Sequence, residues 1–253
     1  MQAHALASSD ALVLQDVTRS FGALRAIENV SFSVAAGERR AVIGANGAGK
    51  TTLFNVITGD FPATEGRVLF FGEDVTAHAP FERIRMGLRR TYQSSLLFRD
   101  LTVRDNLFLA TRGISRGRYS FLRSRRNRTT EELLERVRLT RVADQPVSAL
   151  SHGQQRQLEI GMALAGAPRL ILFDEPAAGL SPGERAELVA LLTSLPAHMG
   201  FIIIEHDLDI ALRVVQQVTV MHNGRILKHG TPSEIENDAE VQSIYMGGKQ
   251  LDS

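Results

Sequence analysis

Apolar and polar positions alternate through Val30-Ser31-Phe32-Ser33-Val34, and that period of two predicts a strand with one buried face. Residues 12–17 and 67–71 predict two more strands. Three other apolar runs do not alternate. Ala41-Val42-Ile43, Leu170-Ile171-Leu172-Phe173 and Phe201-Ile202-Ile203-Ile204 are short and continuous, the pattern of parallel strands covered on both faces. Residues 218–221 and 225–228 flank Asn223-Gly224, a pair that predicts a hairpin with a two-residue turn. Helical segments are expected at 52–57, 102–111, 131–138, 155–165 and 182–195. Together these predict an α/β core holding both ends of the chain, with a mostly helical insertion near residues 91–150. No internal repeat is visible.

Composition narrows the class. With 253 residues, 43% hydrophobic and 23% charged, the chain has enough material for one large core or two modest ones. A net charge of +1 supplies no field for nucleic acid, and the absence of cysteine excludes disulfides and thiolate metal sites. Residues 1–10 have neither the basic start nor the apolar stretch of a secretory signal. No apolar run approaches the roughly 20 residues needed to cross a bilayer, so attachment to a membrane is expected to come from other proteins. One stretch is lopsided. Between Asp105 and Glu131 there is no acidic residue, while Arg112, Arg116, Arg118, Arg123, Arg125, Arg126 and Arg128 are all positive. It reads either as a solvated face or as a contact for acidic headgroups or an acidic partner loop.

The chemistry is concentrated in a few motifs. Gly44-Ala45-Asn46-Gly47-Ala48-Gly49-Lys50-Thr51 fits the phosphate-loop pattern G-x-x-x-x-G-K-[ST] at every required position. Backbone amides of such a loop cradle a polyphosphate. Lys50 is expected to reach the β- and γ-phosphates and the Thr51 hydroxyl to bind Mg²⁺. The helix that follows, through Thr52, points its positive dipole end at the anion.

The strand at 170–173 runs directly into Asp174-Glu175-Pro176. After a phosphate loop, a carboxylate ending an apolar strand is placed to hold Mg²⁺, the role expected of Asp174. Glu175, one residue on, is expected to polarise the attacking water. In Leu150-Ser151-His152-Gly153-Gln154, Ser151 and Gln154 form a capping box that opens a helix. That box leaves Gly153 unexplained, since glycine early in a helix costs about 1 kcal/mol against alanine. A bulky anion approaching the backbone there would account for it.

Taken in order, the phosphate loop, Gln93, the LSHGQ run, the Asp-Glu pair and His206 after an Ile-rich strand resemble the ATP-binding-cassette ATPases over nearly the whole chain. The resemblance implies a P-loop NTPase (RecA-like) core with an N-terminal antiparallel β-subdomain and an inserted α-helical subdomain. The whole is one domain, 1–253, with core residues 1–90 and 151–253 and the helical part at 91–150. It implies ATP and Mg²⁺ as ligands and a head-to-tail pair of cassettes, homo- or heterodimeric. Ser151, Gly153 and Gln154 would contact the γ-phosphate in the partner's site. Gln93 would touch Mg²⁺ and couple to the membrane subunit, His206 would be the switch histidine, and Phe21 would stack on adenine. One departure falls at Ala178-Gly179-Leu180-Ser181, where the family usually reads Ser-Ala-Leu-Asp. Ser181-Pro182-Gly183-Glu184 is instead a well-formed helix start, so Ser181 is read as a cap.

The runs at 174–182, 205–212 and 223–232 are similar to ATPases of branched-chain amino-acid importers. This implies a peripheral subunit on the cytoplasmic face of a bacterial inner membrane. It would work with transmembrane permease subunits and, indirectly, an extracytoplasmic binding protein. Similar cassettes serve urea or amide uptake and lipopolysaccharide export, so the cargo stays open here. A soluble cassette acting on nucleic acid or ribosomes would normally bring a second cassette or long insertions, which are missing. A small-molecule kinase would leave the LSHGQ run and His206 unexplained.

Overall fold

The computed structural model describes residues 10–92, 97–113 and 123–247. In chain order these form β1 (Asp10–Phe21), β2 (Leu24–Ala35), β3 (Arg39–Ile43), α1 (Lys50–Thr58), β4 (Glu65–Phe70) and β5 (Glu73–Asp74). Next come α2 (Pro80–Met86), β6 (Leu88–Arg90), α3 (Val103–Gly113), α4 (Arg123–Arg136), α5 (His152–Leu164) and β7 (Leu170–Asp174). The chain continues with α6 (Pro182–Thr193), β8 (Gly200–Ile204), α7 (Leu208–Val214), β9 (Gln217–His222), β10 (Arg225–Gly230), α8 (Pro232–Glu236) and α9 (Ala239–Gly247).

Two sheets result. The first is antiparallel, in the order β2-β1-β4-β5; the second runs β10-β9-β3-β8-β7-β6 and is parallel except for the β9–β10 hairpin. That hairpin turns through Asn223 and Gly224, both at positive φ (48° and 77°), as its two-residue turn demands. The continuous apolar runs are central strands of the second sheet, and their side chains alternate between two cores. Val42, Leu172, Ile202 and Ile204 face α1 and the first sheet. Ala41, Ile43, Ile171, Phe173, Phe201 and Ile203 face the other way. Burial on both faces is why these strands lack polar alternation.

Among the described residues, the helical segment shares its interior with the second sheet. Val103, Leu107, Leu134 and Val137 join Leu158 of α5 and Phe173 and Phe201 of the sheet in one apolar cluster. Helix α4 starts earlier than periodicity indicates and ends at Arg136, just before Arg138 enters the left-handed region at φ 60°. Helix α5 begins at His152 rather than 155, because the Ser151 cap stands directly before it. The short α2, β5 and β6 were not legible as elements. The stretch 114–122, with Arg116, Arg118, Tyr119 and Phe121, lies outside the described residues, as does Gln93. No helix among the described residues is long and apolar enough to cross a membrane.

Candidate active site

The phosphate loop leaves β3 at Ile43 and closes into α1 at Lys50. Gly49 caps the helix at φ 97°, and a Cβ there would meet the Ala26 carbonyl at 2.5 Å, so only glycine fits. The loop forms a cavity of about 460 Å³ with Asn46 to Thr52, Leu24 to Ala26, Glu175, His206, Asn223 and Gly224 in its walls. Lys50 is buried, and its ammonium donates to the carbonyls of Gly44 and Ala45 at 2.7 and 3.0 Å. Burial lowers its pKa, opposed by the charges of Glu175 and Asp174. A polyphosphate entering here meets a cation already held in the loop.

The two carboxylates at the end of β7 face different partners. Asp174 is 1% exposed, and its Oδ2 accepts from Arg90 Nη2 at 2.6 Å. Its Oδ1 is buried without a hydrogen-bond partner among the described residues. Glu175 turns away through a left-handed φ of 48°, its amide donating to the Ile204 carbonyl at 2.9 Å. Its Oε1 lies 2.7 Å from His206 Nε2. Adjacent residues thus supply a buried carboxylate and one that lines the cavity.

A bound Mg²⁺ fits this donor set. The orphaned Asp174 Oδ1 and the Thr51 hydroxyl are hard oxygen ligands, the kind Mg²⁺ takes one or two at a time beside phosphate oxygens and water. Gln93, the third expected ligand, is outside the described residues.

The LSHGQ run sits at the start of α5. Ser151 caps the helix and forms the expected box with Gln154. The space beside Gly153 is filled by Glu184 of α6: a Cβ on Gly153 would meet its Oε1 at 2.5 Å. Glu184 Oε1 accepts from the Gly153 amide at 2.9 Å and from the Ser151 hydroxyl at 3.3 Å. Oε2 accepts from the Ser181 amide at 3.0 Å and its hydroxyl at 2.8 Å. These bonds, the Ser181 amide foremost, pull the Glu184 pKa down to about 2. Ser181 is the α6 cap, as read from sequence. The anion at Gly153 is therefore the chain's own carboxylate.

Phe21, at the end of β1, is 40% exposed and stands outside the cavity wall. It packs edge-on against Phe61 at 5.3 Å with the Arg19 guanidinium 4.4 Å over its ring. Two contacts of the site were invisible in the sequence: Arg90 with Asp174, and Glu184 with Gly153.

A family model described as ABC transporter matches residues 27–178. The chain belongs to the ABC transporter ATP-binding family. It is 36% identical to the probable branched-chain amino acid transport ATP-binding protein LivG of Methanocaldococcus jannaschii, covering 92% of this chain and 96% of that protein. Identity to Escherichia coli LivG, a high-affinity branched-chain amino acid transport ATP-binding protein, is 35% over 95% of this chain and 99% of the relative. Among solved structures, the ADP conformation of an ABC transporter cassette superposes with a TM-score of 0.83 at 34% identity, covering 94% of this chain and 99% of that one. A dimeric cassette in a post-hydrolysis state with ADP and Pi gives 0.76 at 25% identity, over 87% of this chain and 98% of the other. The α/β layers agree with that family's P-loop fold, and its members are ATPases.

Proposed function

We propose that this ABC ATPase hydrolyses ATP to drive import of branched-chain amino acids, held by permease subunits at the cytoplasmic face of a bacterial inner membrane. One observation carries the chemical half of the reading: the phosphate loop, Glu175 and His206 line the same cavity, with carboxylate and imidazole in contact at 2.7 Å. The near full-length likeness to LivG proteins supports the cargo.

In this reading the loop amides and Lys50 bind the β- and γ-phosphates. Glu175 orients and polarises the attacking water, and His206 holds the Glu175 carboxylate and contacts the γ-phosphate. Asp174 and Thr51, with Gln93, would hold Mg²⁺, which when bound neutralises charge on the phosphate oxygens. Ser151, Gly153 and Gln154 serve the nucleotide of a second cassette, and Phe21 stacks on adenine. In a single chain Glu184 occupies two of the donors meant for that γ-phosphate. Closure of the pair then requires the carboxylate to give way, and product release reverses the exchange. The 91–150 segment is the helical subdomain that meets the permeases.

The decisive experiment reconstitutes the chain with branched-chain amino-acid permease subunits and measures ATP-dependent leucine uptake. Uptake of urea or amides in place of leucine would refute the cargo. ATP hydrolysis independent of Glu175 would refute the chemistry.

A further inference from the structure

Beside the catalytic pair lies a carboxyl to which the reaction scheme gives no task. Glu205 follows the last residue of β8, is 3% exposed, and accepts a hydrogen bond from the Ala177 amide at 2.7 Å. Burial pushes its pKa up to about 7, with Glu175 and Asp207 adding repulsion. A buried carboxyl must find a partner, and this one joins the loop that bears Glu175 to the loop that bears His206.

The topology says what this contact does. Strands β7 and β8 are parallel neighbours in register as far as Asp174 and Ile204. The Glu175 amide adds one more rung, to the Ile204 carbonyl. Beyond it the two chains enter separate turns, and the Glu205 side chain supplies a further cross-link between them, to Ala177. Glu175 between those two ties holds φ 48°, a left-handed conformation that a residue with a side chain keeps only when its surroundings over-determine it.

We propose that Glu205 is a positioning residue for hydrolysis: its grip on the Ala177 amide keeps the Glu175 turn closed and the Glu175 carboxylate against the His206 ring. The inference rests on the assignment of Glu175 and His206 to hydrolysis.

The test compares Glu205→Ala, which removes the acceptor, with Glu205→Gln, which keeps a carbonyl oxygen in place. Steady-state ATPase is measured on the full chain in its assembled ATPase, and ¹⁵N spectra of the His206 ring on the purified chain. Glu205→Ala should lower kcat about tenfold with KM for ATP within about twofold, a split expected when only the reacting groups are misplaced. The His206 resonance should move toward its position in Glu175→Gln. Glu205→Gln should retain both the wild-type kcat and the wild-type resonance. If Glu205→Ala does not fold, Glu205→Leu, which refills the volume without an acceptor, takes its place. Wild-type kcat or an unmoved His206 resonance in the acceptor-less variant overturns the role, as does a loss that Glu205→Gln fails to restore. Normal turnover in Glu175→Gln would remove the underlying assignment and this role with it. Loss in Glu175→Gln beside normal turnover in Glu205→Ala would refute the Glu205 role alone.

Discussion

The Gly153 amide donates to Glu184 Oε1 at 2.9 Å, so the first turn of the LSHGQ helix is capped by a carboxylate from the helix after the Asp-Glu loop. The same carboxylate takes the Ser151 hydroxyl. A phosphate arriving from a second cassette competes for donors that are already engaged. Glu184→Gln keeps one acceptor oxygen but loses the charge that makes such bonds roughly twice as strong as neutral ones. In a Glu175→Gln background, where nucleotide is not consumed, it should lower the ATP concentration for half-maximal pairing roughly fivefold. Size-exclusion chromatography against ATP concentration reads this out; an unchanged midpoint would show that Glu184 opposes nothing.

Glu175→Gln itself should leave ATP binding within about twofold while reducing turnover at least about 100-fold, since it keeps the shape and loses the base. Equilibrium nucleotide binding and phosphate release measured on one preparation separate the two effects.

Arg90 and Asp174 form an ion pair at 2.6 Å with both side chains almost wholly buried, 5% and 1% exposed. Removing one partner of such a pair costs about 3–5 kcal/mol by leaving a bare charge inside. Arg90→Ala should therefore lower unfolding stability by about 3 kcal/mol, and Arg90→Ala combined with Asp174→Asn should recover part of it. Urea unfolding of the wild type and the two variants without nucleotide checks this; equal stability of both mutants would refute the coupling.

Glu205 titrates at about 7 when folded against an ordinary value of 4.5, so the folded chain binds the extra proton. Stability from this group is fully present below pH 4.5 and is lost as pH rises through 7. Glu205→Gln imitates the neutral form at every pH. Its Tm should exceed that of the wild type at pH 8, and the difference should shrink steadily toward pH 4.5. A difference constant with pH would contradict the shifted titration.

Local chemistry was legible in the sequence wherever it is written in consecutive residues. The phosphate loop, the Asp-Glu pair, the Asn223-Gly224 turn and the Ser151 and Ser181 caps depend on neighbours within a few positions, and each has the structure its residues dictate. The parallel strands were equally plain, because burial on two faces removes polar residues altogether. What escaped notice depends on distant pairing. Glu184 meets Gly153 across 31 residues, Ala177 meets Glu205 across 28, and Arg90 meets Asp174 across 84. An acidic or basic residue carries no mark of such a partner, and Glu205 in particular reads as the polar end of an apolar strand. The short α2 and β6 were missed because three to seven residues leave no measurable period.

The single apolar cluster joining Leu107, Val137 and Leu158 to Phe173 and Phe201 constrains how the LSHGQ helix can travel. Side chains packed at interior density do not stretch; they slide together or stay put. A swing of α5 toward a neighbouring cassette must therefore carry α3 and α4 along as a block, shearing across the strand faces of Phe173 and Phe201. Among the described residues, a pull on those helices reaches the strand that ends in Asp174 through these packed side chains.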